Sequence, residues 1–156
     1  MSTRCNIIIK DGPSRIILYH HPDGYPMGVG TELRGYLERI HAWHKGLHSA
    51  EHIANYLVKG RIPAPLASTP HDDDEYELTS GLHGDVEYVY VINLRAATLR
   101  CYEVTWNEED HVNYEINWPR VLRRDHLVHI PTFEERDEMI RKYEAEIAAR
   151  TAAAIR

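Results

Sequence analysis

The sequence predicts an α+β fold, in which an antiparallel sheet carries helices on one face in the order β-β-α-α-β-β-β-α. Two runs near the N-terminus, Arg4 to Lys10 and Arg15 to His21, are rich in β-branched and aromatic residues, which is typical of strands. Two other stretches place apolar residues at helical spacing. Strands and helices do not alternate along the chain, and this favours an antiparallel sheet.

The N-terminal half predicts a hairpin followed by two helices. Asp11-Gly12-Pro13-Ser14 is a turn signal between the first two strands. The first helix runs from Val29 towards a stop at Lys45-Gly46, and Ser49 caps a short second helix that ends before Gly60. The apolar stripe of the first helix comprises Leu33, Tyr36, Leu37, Ile40, Trp43 and Leu47.

The C-terminal half predicts a long loop, three strands and a final helix. Residues 61–85 contain prolines and an aspartate run without any period, so we expect an acidic loop. Val86 to Leu94 and Thr98 to Trp106 form a second hairpin. A third strand follows from the alternation of Val112, Tyr114, Ile116 and Trp118. A capping box from Thr132 to Glu135 opens a helix over 132–156.

Composition indicates a single domain over residues 1–156. The net charge of -6 argues against general nucleic-acid binding, because such binders normally present a basic face. The sequence contains no apolar run long enough to predict a membrane span. No signal-peptide pattern precedes the first strand, so we expect a cytoplasmic protein. Cys5 and Cys101 lie within strand-like runs, where small buried side chains are the simplest interpretation.

The segment from His21 to Thr31 is the predicted site, because it joins the end of a strand to the start of a helix. Its prolines fix φ, its glycines permit unusual backbone angles, and its polar side chains bond or titrate. The helix start near Thr31 favours an anion, and Arg4 supplies a positive charge nearby. A turn-stabilising aspartate beside a hydrogen-bonded histidine remains the alternative. The candidate ligand-binding residues are His21, Asp23, Tyr25, Gly28, Gly30, Thr31 and Arg4.

Three histidines of the first helix, His41, His44 and His48, are candidate metal ligands. They fall within an arc of about 60° on an ideal helix. Since Gly46 interrupts the helix and no metalloprotease pattern is present, we favour histidines that border the apolar stripe and bind no metal. The glycines after His21 match neither the P-loop nor the dinucleotide fingerprint, so no cofactor is expected.

Two blocks resemble a family of small proteins from phages and mobile elements. Ser2-Thr3-Arg4-Cys5-Asn6-Ile7 is similar to the family's opening Ser/Gly-Thr-Arg-x-Asn-Ile stretch. Tyr19-His20-His21-Pro22-Asp23-Gly24-Tyr25-Pro26 resembles its Tyr-x-His-x-Asp-Gly-Tyr-Pro block. The similarity covers about the first third of the chain. The resemblance implies that the protein is encoded by a phage or mobile element and that the loop is its functional segment. It implies no mechanism.

Two classes of function remain. The favoured one is a non-catalytic accessory protein that captures a small anionic ligand or a host protein through the loop from His21 to Thr31. The alternative is a small metal-dependent hydrolase that uses His21, Asp23 and the helix histidines. We also expect a homodimer through the C-terminal helix, whose alanine-rich end follows a narrow apolar stripe of Phe133, Ile140, Tyr143, Ile147 and Ile155.

Overall fold

The computed structural model of the chain describes residues 3–39, 49–59, 76–105, 111–112 and 115–155, and confirms the α+β class. The strands are β1 (Cys5–Asp11), β2 (Ser14–His20), β3 (Tyr76–Thr79), β4 (Tyr88–Asn93), β5 (Thr98–Glu103), β6 (His111–Val112), β7 (Glu115–Ile116) and β8 (Leu127–Val128). The helices are α1 (Thr31–Arg39), α2 (Ala50–Val58), α3 (Trp118–Val121) and α4 (Phe133–Ile155). Within these ranges no helix has the length and apolar character needed to cross a membrane.

The main sheet has six strands in the order β3-β2-β1-β4-β5-β8. Its neighbouring strands are antiparallel except β1 and β4, which are parallel, so the sheet is mixed where the sequence predicted an antiparallel one. The sequence of β1 already suits such a position. Ile7, Ile8 and Ile9 are consecutive and fully buried, as expected of a strand that is covered on both faces.

Two apolar clusters cover the two faces of the sheet. On the helix face, Ile7 and Ile9 of β1 pack in one cluster with Leu33 of α1 and Ile53 of α2. On the opposite face, Ile8 belongs to a second cluster with Val89, Tyr102 and Val121. Helices α1 and α2 therefore lie on the same face of the sheet, as predicted. The single turn of α3 helps to cover the opposite face.

Several local predictions are confirmed. Gly12, with φ of +62°, forms the turn between β1 and β2. The Ser49 hydroxyl accepts a hydrogen bond from the His52 amide at 3.1 Å and caps α2. Thr132 and Glu135 form the capping box of α4, with side chain-to-backbone distances of 3.1 and 3.4 Å. The predicted extension of the first helix beyond Arg39 lies outside the described residues.

Two predictions in the second half need correction, and one strand was missed. The expected loop over 61–85 contains strand β3, which pairs with β2 and forms one edge of the sheet. The alternating stretch 112–118 is not one strand, because β6 pairs with β7 and α3 begins at Trp118. Proline in the first turn of α3 explains this end, since it suits a helix start and cannot donate to a sheet. Strand β8 was not predicted.

Helix α4 is held at its beginning and exposed along most of its length. The Phe133 ring packs against Gly35 of α1, and Arg136 forms an ion pair with Glu32 at 3.1 Å. None of its 23 residues, all of which the structure describes, is buried. Tyr143 is 64% exposed and Ile147 is 43% exposed. The predicted apolar stripe therefore lies largely on the surface of the single chain.

Candidate functional site

The loop after β2 is fixed by backbone hydrogen bonds, one of them to the segment before β1. The Gly24 amide donates to the Thr3 carbonyl at 2.8 Å, and the Val29 amide donates to the Asp23 carbonyl at 2.9 Å. Asp23 has φ of +53°, a left-handed conformation that aspartate tolerates better than most residues. A π-helical turn, Pro26–Gly30, then leads directly into α1. The predicted succession of strand, fixed loop and helix is thus confirmed.

Tyr90 of β4 attaches this loop to the core. Its side chain is fully buried, and its hydroxyl donates a hydrogen bond to the Gly24 carbonyl at 2.8 Å. Gly30 lies against the Tyr90 ring, where an added Cβ would be only 3.1 Å from a ring carbon. Gly28 approaches the Asp23 carbonyl so closely that an added Cβ would clash with it. Gly28 is therefore required by the packing of the protein's own chain, and Gly30 is tightly packed against Tyr90.

Thr31 is also engaged by the protein itself. It is buried, and its hydroxyl lies 2.9 Å from the Pro131 carbonyl and 3.2 Å from the Pro26 carbonyl. These contacts join the start of α1 to the segment before α4. Of the seven candidate binding residues, Gly28, Gly30 and Thr31 consequently have clear structural roles.

Asp23 and Tyr25 lie where α1 and α4 begin. The Tyr25 hydroxyl donates a hydrogen bond to the Asp23 carboxylate at 3.1 Å. Burial raises the pKa of Tyr25, the Asp23 carboxylate raises it further, and the nearby Arg136 guanidinium acts in the opposite direction. Both side chains are half-buried. They form a small polar contact at the junction of the two helices.

A larger polar group lies on the sheet face opposite α1 and α2, and we call it the polar face. Asn6 is fully buried, and both ends of its side-chain amide bond to the backbone of His83, at 3.0 Å to the carbonyl and 3.2 Å to the amide. The same bonds fix the segment that precedes β4 against the start of β1. The polar face comprises Arg4, Asn6, Tyr19, His21, His83 and Asp85.

Tyr19 is at the centre of the polar face. It lies directly across from Asn6 in the β1–β2 ladder, and its ring stacks on His83 at a centroid distance of 4.1 Å. Its hydroxyl donates to the Asp85 carboxylate at 3.1 Å, and Arg4 approaches the same carboxylate at 3.3 Å. The His21 ring meets the edge of Tyr19 at 6.4 Å. Three separate segments of the chain therefore meet around one aromatic ring.

The polar face combines fixed and accessible groups. Burial raises the pKa of Tyr19 to about 12, and the Asp85 carboxylate raises it in the same direction. The Tyr19 phenol therefore stays neutral at physiological pH and donates to Asp85. The Arg4 and Asp85 side chains are 37% and 50% exposed. A partner can reach these two charges, while Asn6 and Tyr19 hold the surface beneath them.

The sequence located only part of this face. It predicted Arg4 and His21, and the structure brings His21 to the ring of Tyr19 and Arg4 to the carboxylate that Tyr19 contacts. It did not predict His83 or Asp85 as site residues, because both lie at the end of the expected acidic loop over 61–85. Their bonds to Asn6 and Tyr19 join residues 77 and 66 positions apart, and no local pattern indicates such distant contacts. The loop residues Asp23 and Tyr25 form their contact elsewhere.

Among the described residues, the thiols are buried and the histidines belong to no metal-binding group. Cys5 and Cys101 are free and buried, as predicted. Burial raises the pKa of Cys5 well above its ordinary value and that of Cys101 to about 12, so neither is an activated nucleophile. No metal-binding group of three or more His, Cys, Asp or Glu side chains occurs among the described residues. His41, His44 and His48 lie outside them.

Comparison with protein-family models, with curated proteins and with solved structures finds no match to this chain. The role of the polar face is therefore inferred from the contacts among its residues. Those contacts place Arg4, His21, His83 and Asp85 around Tyr19.

The close approach of Gly28 to Asp23 gives a stability prediction for the loop. Gly28→Ala is expected to lower the free energy of unfolding by about 1–3 kcal/mol, because the backbone carbonyl cannot move away cheaply. Gly84→Ala is the matched control, since nothing lies within 4 Å of its added Cβ. The control should change stability by less than about 0.5 kcal/mol. Urea unfolding of both variants measures the difference, and equal effects would contradict the packing described above.

Proposed function

We propose that this chain is a non-catalytic binding module, of the accessory type found in phages and mobile elements, that captures a host protein through the polar face. One observation supports the proposal most strongly. Four polar residues of the two sequence blocks that resemble such a family lie on the same face: Arg4 and Asn6 of the first block and Tyr19 and His21 of the second. His83 and Asp85 complete a surface that is already ordered before any partner binds.

The chemistry of the face favours a protein partner. Arginine and tyrosine are enriched in protein interfaces, and pre-ordered side chains lose little entropy on binding. The charge of Arg4 is balanced by Asp85, so the face has no strong preference for anions. The start of α1, which could have held an anion, is filled by Thr31 and its carbonyl partners.

A small anionic ligand is the second candidate for the same surface. The observation that favours it is the partly exposed guanidinium of Arg4. The two candidates make different demands, since an anion has to compete with Asp85 for Arg4, whereas a protein can contact both charges together.

A binding role also agrees with the state of the reactive groups. Both thiols are buried with raised pKa values, and the Asp23 carboxylate already accepts a hydrogen bond from Tyr25. A metal-dependent hydrolase built on His21 and Asp23 would have to recruit that carboxylate away from Tyr25.

Site-specific photo-crosslinking in host cells tests the proposed partner surface. A photoreactive residue in place of His21 should form one discrete protein adduct, and Asp85→Arg should abolish it because it reverses a charge of the face. The same photoreactive residue in place of Lys142, an exposed position of α4, is the matched control and should not form that adduct.

Three other outcomes would contradict a protein partner on this face. They are the absence of an adduct at position 21, an identical adduct from position 142, and an adduct that Asp85→Arg leaves unchanged. Titration with inorganic phosphate distinguishes the second candidate. Amide shifts confined to Arg4, His21 and His83 in NMR spectra, without an adduct, would favour a small anion.

We further propose that a second copy of the chain covers the apolar stripe of α4. Ile140, Tyr143 and Ile147 follow one another at helical spacing, and the last two remain substantially exposed in the single chain. Stable interfaces bury about 1,200–2,000 Å² in total, and a pair of long helices provides much of that area. Glu138 and Lys142 pair with each other on the polar side of the helix, which leaves the stripe for the partner.

Light scattering at tens of micromolar tests this assembly. We expect the mass of a dimer for the unmodified chain and the mass of a monomer for Ile147→Glu, because the substitution places a charge in the apolar interface. Ala145→Glu, on the opposite side of α4, is the matched control and should remain dimeric. A monomeric unmodified chain, or a control that dissociates as readily as Ile147→Glu, would contradict the proposal.

A further inference from the structure

The apolar stripe of α4 follows a repeat of seven residues. Phe133, Ile140 and Ile147 are seven positions apart, Ala154 continues the series, and Tyr143 lies between the two isoleucines. This is the spacing of a coiled-coil stripe, which keeps one side of a helix against a partner helix along its length. If a second copy covers the stripe, as proposed above, the two α4 helices run either parallel or antiparallel.

Helix α1 already occupies the beginning of the stripe. The Phe133 ring packs against Gly35, and Arg136, on the same side of α4, forms the ion pair with Glu32. The Arg136 side chain is only 12% exposed. In a parallel pair, each of these two positions would have to face the same position of the second copy. Since α1 contacts both of them in each copy, a parallel partner could not lie along the beginning of the stripe.

The other end of α4 is exposed and slender. Every residue over 141–155 is exposed. The small side chains of this end are those of Ala148, Ala149, Ala152, Ala153 and Ala154. An antiparallel partner brings this slender end, and no second α1, alongside the crowded beginning of the helix. Because the distance between two helix axes depends on the side chains at their contact, alanines allow a close approach there.

Arg150 favours the same direction for an independent reason. It follows Tyr143 by seven positions and therefore lies on the stripe. In a parallel pair, the two copies of Arg150 would face each other in the apolar seam, where two unpaired like charges are costly. In an antiparallel pair, each Arg150 instead faces a different level of the second helix, and the two charges lie apart.

We infer that the two copies of α4 pair antiparallel, with Tyr143 of each copy against Ile147 of the other. This register collects the apolar side chains of both copies at the centre of the pair, where they are removed from water. It places the two copies of Arg150 about 15 Å apart along the helix axis. The two globular bodies then lie at opposite ends of the helix pair. The inference rests on the proposed dimer and does not depend on the polar face.

The register also brings opposite charges to the same level. Arg150 of one copy lies opposite Ile140 of the other, and Asp137 and Glu144 flank Ile140 along one side of the helix. The alkyl stem of Arg150 covers Ile140 while its guanidinium reaches towards these carboxylates. Glu144 and Glu146 of the two copies also come to similar levels. They lie on the exposed edges of the pair, where water and salt weaken their repulsion.

Disulfide crosslinking of two single variants tests the direction on the full-length chain. Ile140→Cys and Arg150→Cys each introduce one thiol on the stripe, while Cys5 and Cys101 are buried. After refolding together and mild oxidation, the two variants should form a dimer in which a disulfide joins position 140 to position 150. Either variant alone should stay uncrosslinked, because its two copies of the thiol lie about 15 Å apart along the axis, which a disulfide cannot span.

Glu138→Cys refolded with Ala152→Cys is the matched control. These two positions are level with each other in the same register, but they lie on the side of α4 away from the stripe and should not crosslink. Crosslinks within either stripe variant alone, or equal crosslinking of the control pair, would overturn the antiparallel direction. A dimer by light scattering without the mixed crosslink would overturn the direction and leave the dimer standing. A monomeric mass would overturn both.

Discussion

The polar face depends on one buried amide, the side chain of Asn6. The Asn6 side chain bonds to both the backbone carbonyl and the backbone amide of His83. It thereby satisfies backbone groups that a neighbouring strand would otherwise pair, in a segment that belongs to no strand. Leaving either backbone group buried and unpaired would cost about 1–3 kcal/mol. Once this segment is fixed, His83 stacks on Tyr19 and Asp85 lies within reach of Arg4. An apolar residue at position 6 could form neither hydrogen bond to His83.

A second constraint acts from the helix side of the sheet. The Tyr90 hydroxyl holds the Gly24 carbonyl, and the Tyr90 ring supports Gly30, so the loop after β2 is built onto the core. The polar face and the loop are therefore fixed through different strands. This explains why the loop contributes His21 to the polar face, while its glycines and Thr31 serve the packing of α1.

The sequence predicted those features that local chemistry determines. The turn at Gly12, the Ser49 cap and the capping box at Thr132 depend on residues within a few positions of each other, and all three occur. The parallel pairing of β1 with β4 and the short strand β8 depend on distant contacts, because β8 stops where Arg34 binds the Ile130 carbonyl. The alternation around Val112 was misleading, since the proline that follows Trp118 favours a helix start.

The same distinction applies to the site. His21 could be selected because it lies in the loop that joins a strand to a helix, and Arg4 because it supplies a positive charge near that loop, whereas His83 and Asp85 have no such local signal. Their positions follow from Asn6, which is polar and fully buried next to Ile7. A buried asparagine within an apolar strand indicates a distant hydrogen-bond partner, although it does not identify that partner.

The most direct test of this account is hydrogen exchange of the Asn6→Ala variant, compared residue by residue with the unmodified chain. We expect the His83 amide to lose its protection, because its hydrogen bond to the Asn6 side chain is removed. The amides of Ile7 to Ile9 should stay protected, since the pairing of β1 with β2 and β4 is unchanged. Retained protection at His83, or an equal loss throughout β1, would contradict the central role of Asn6.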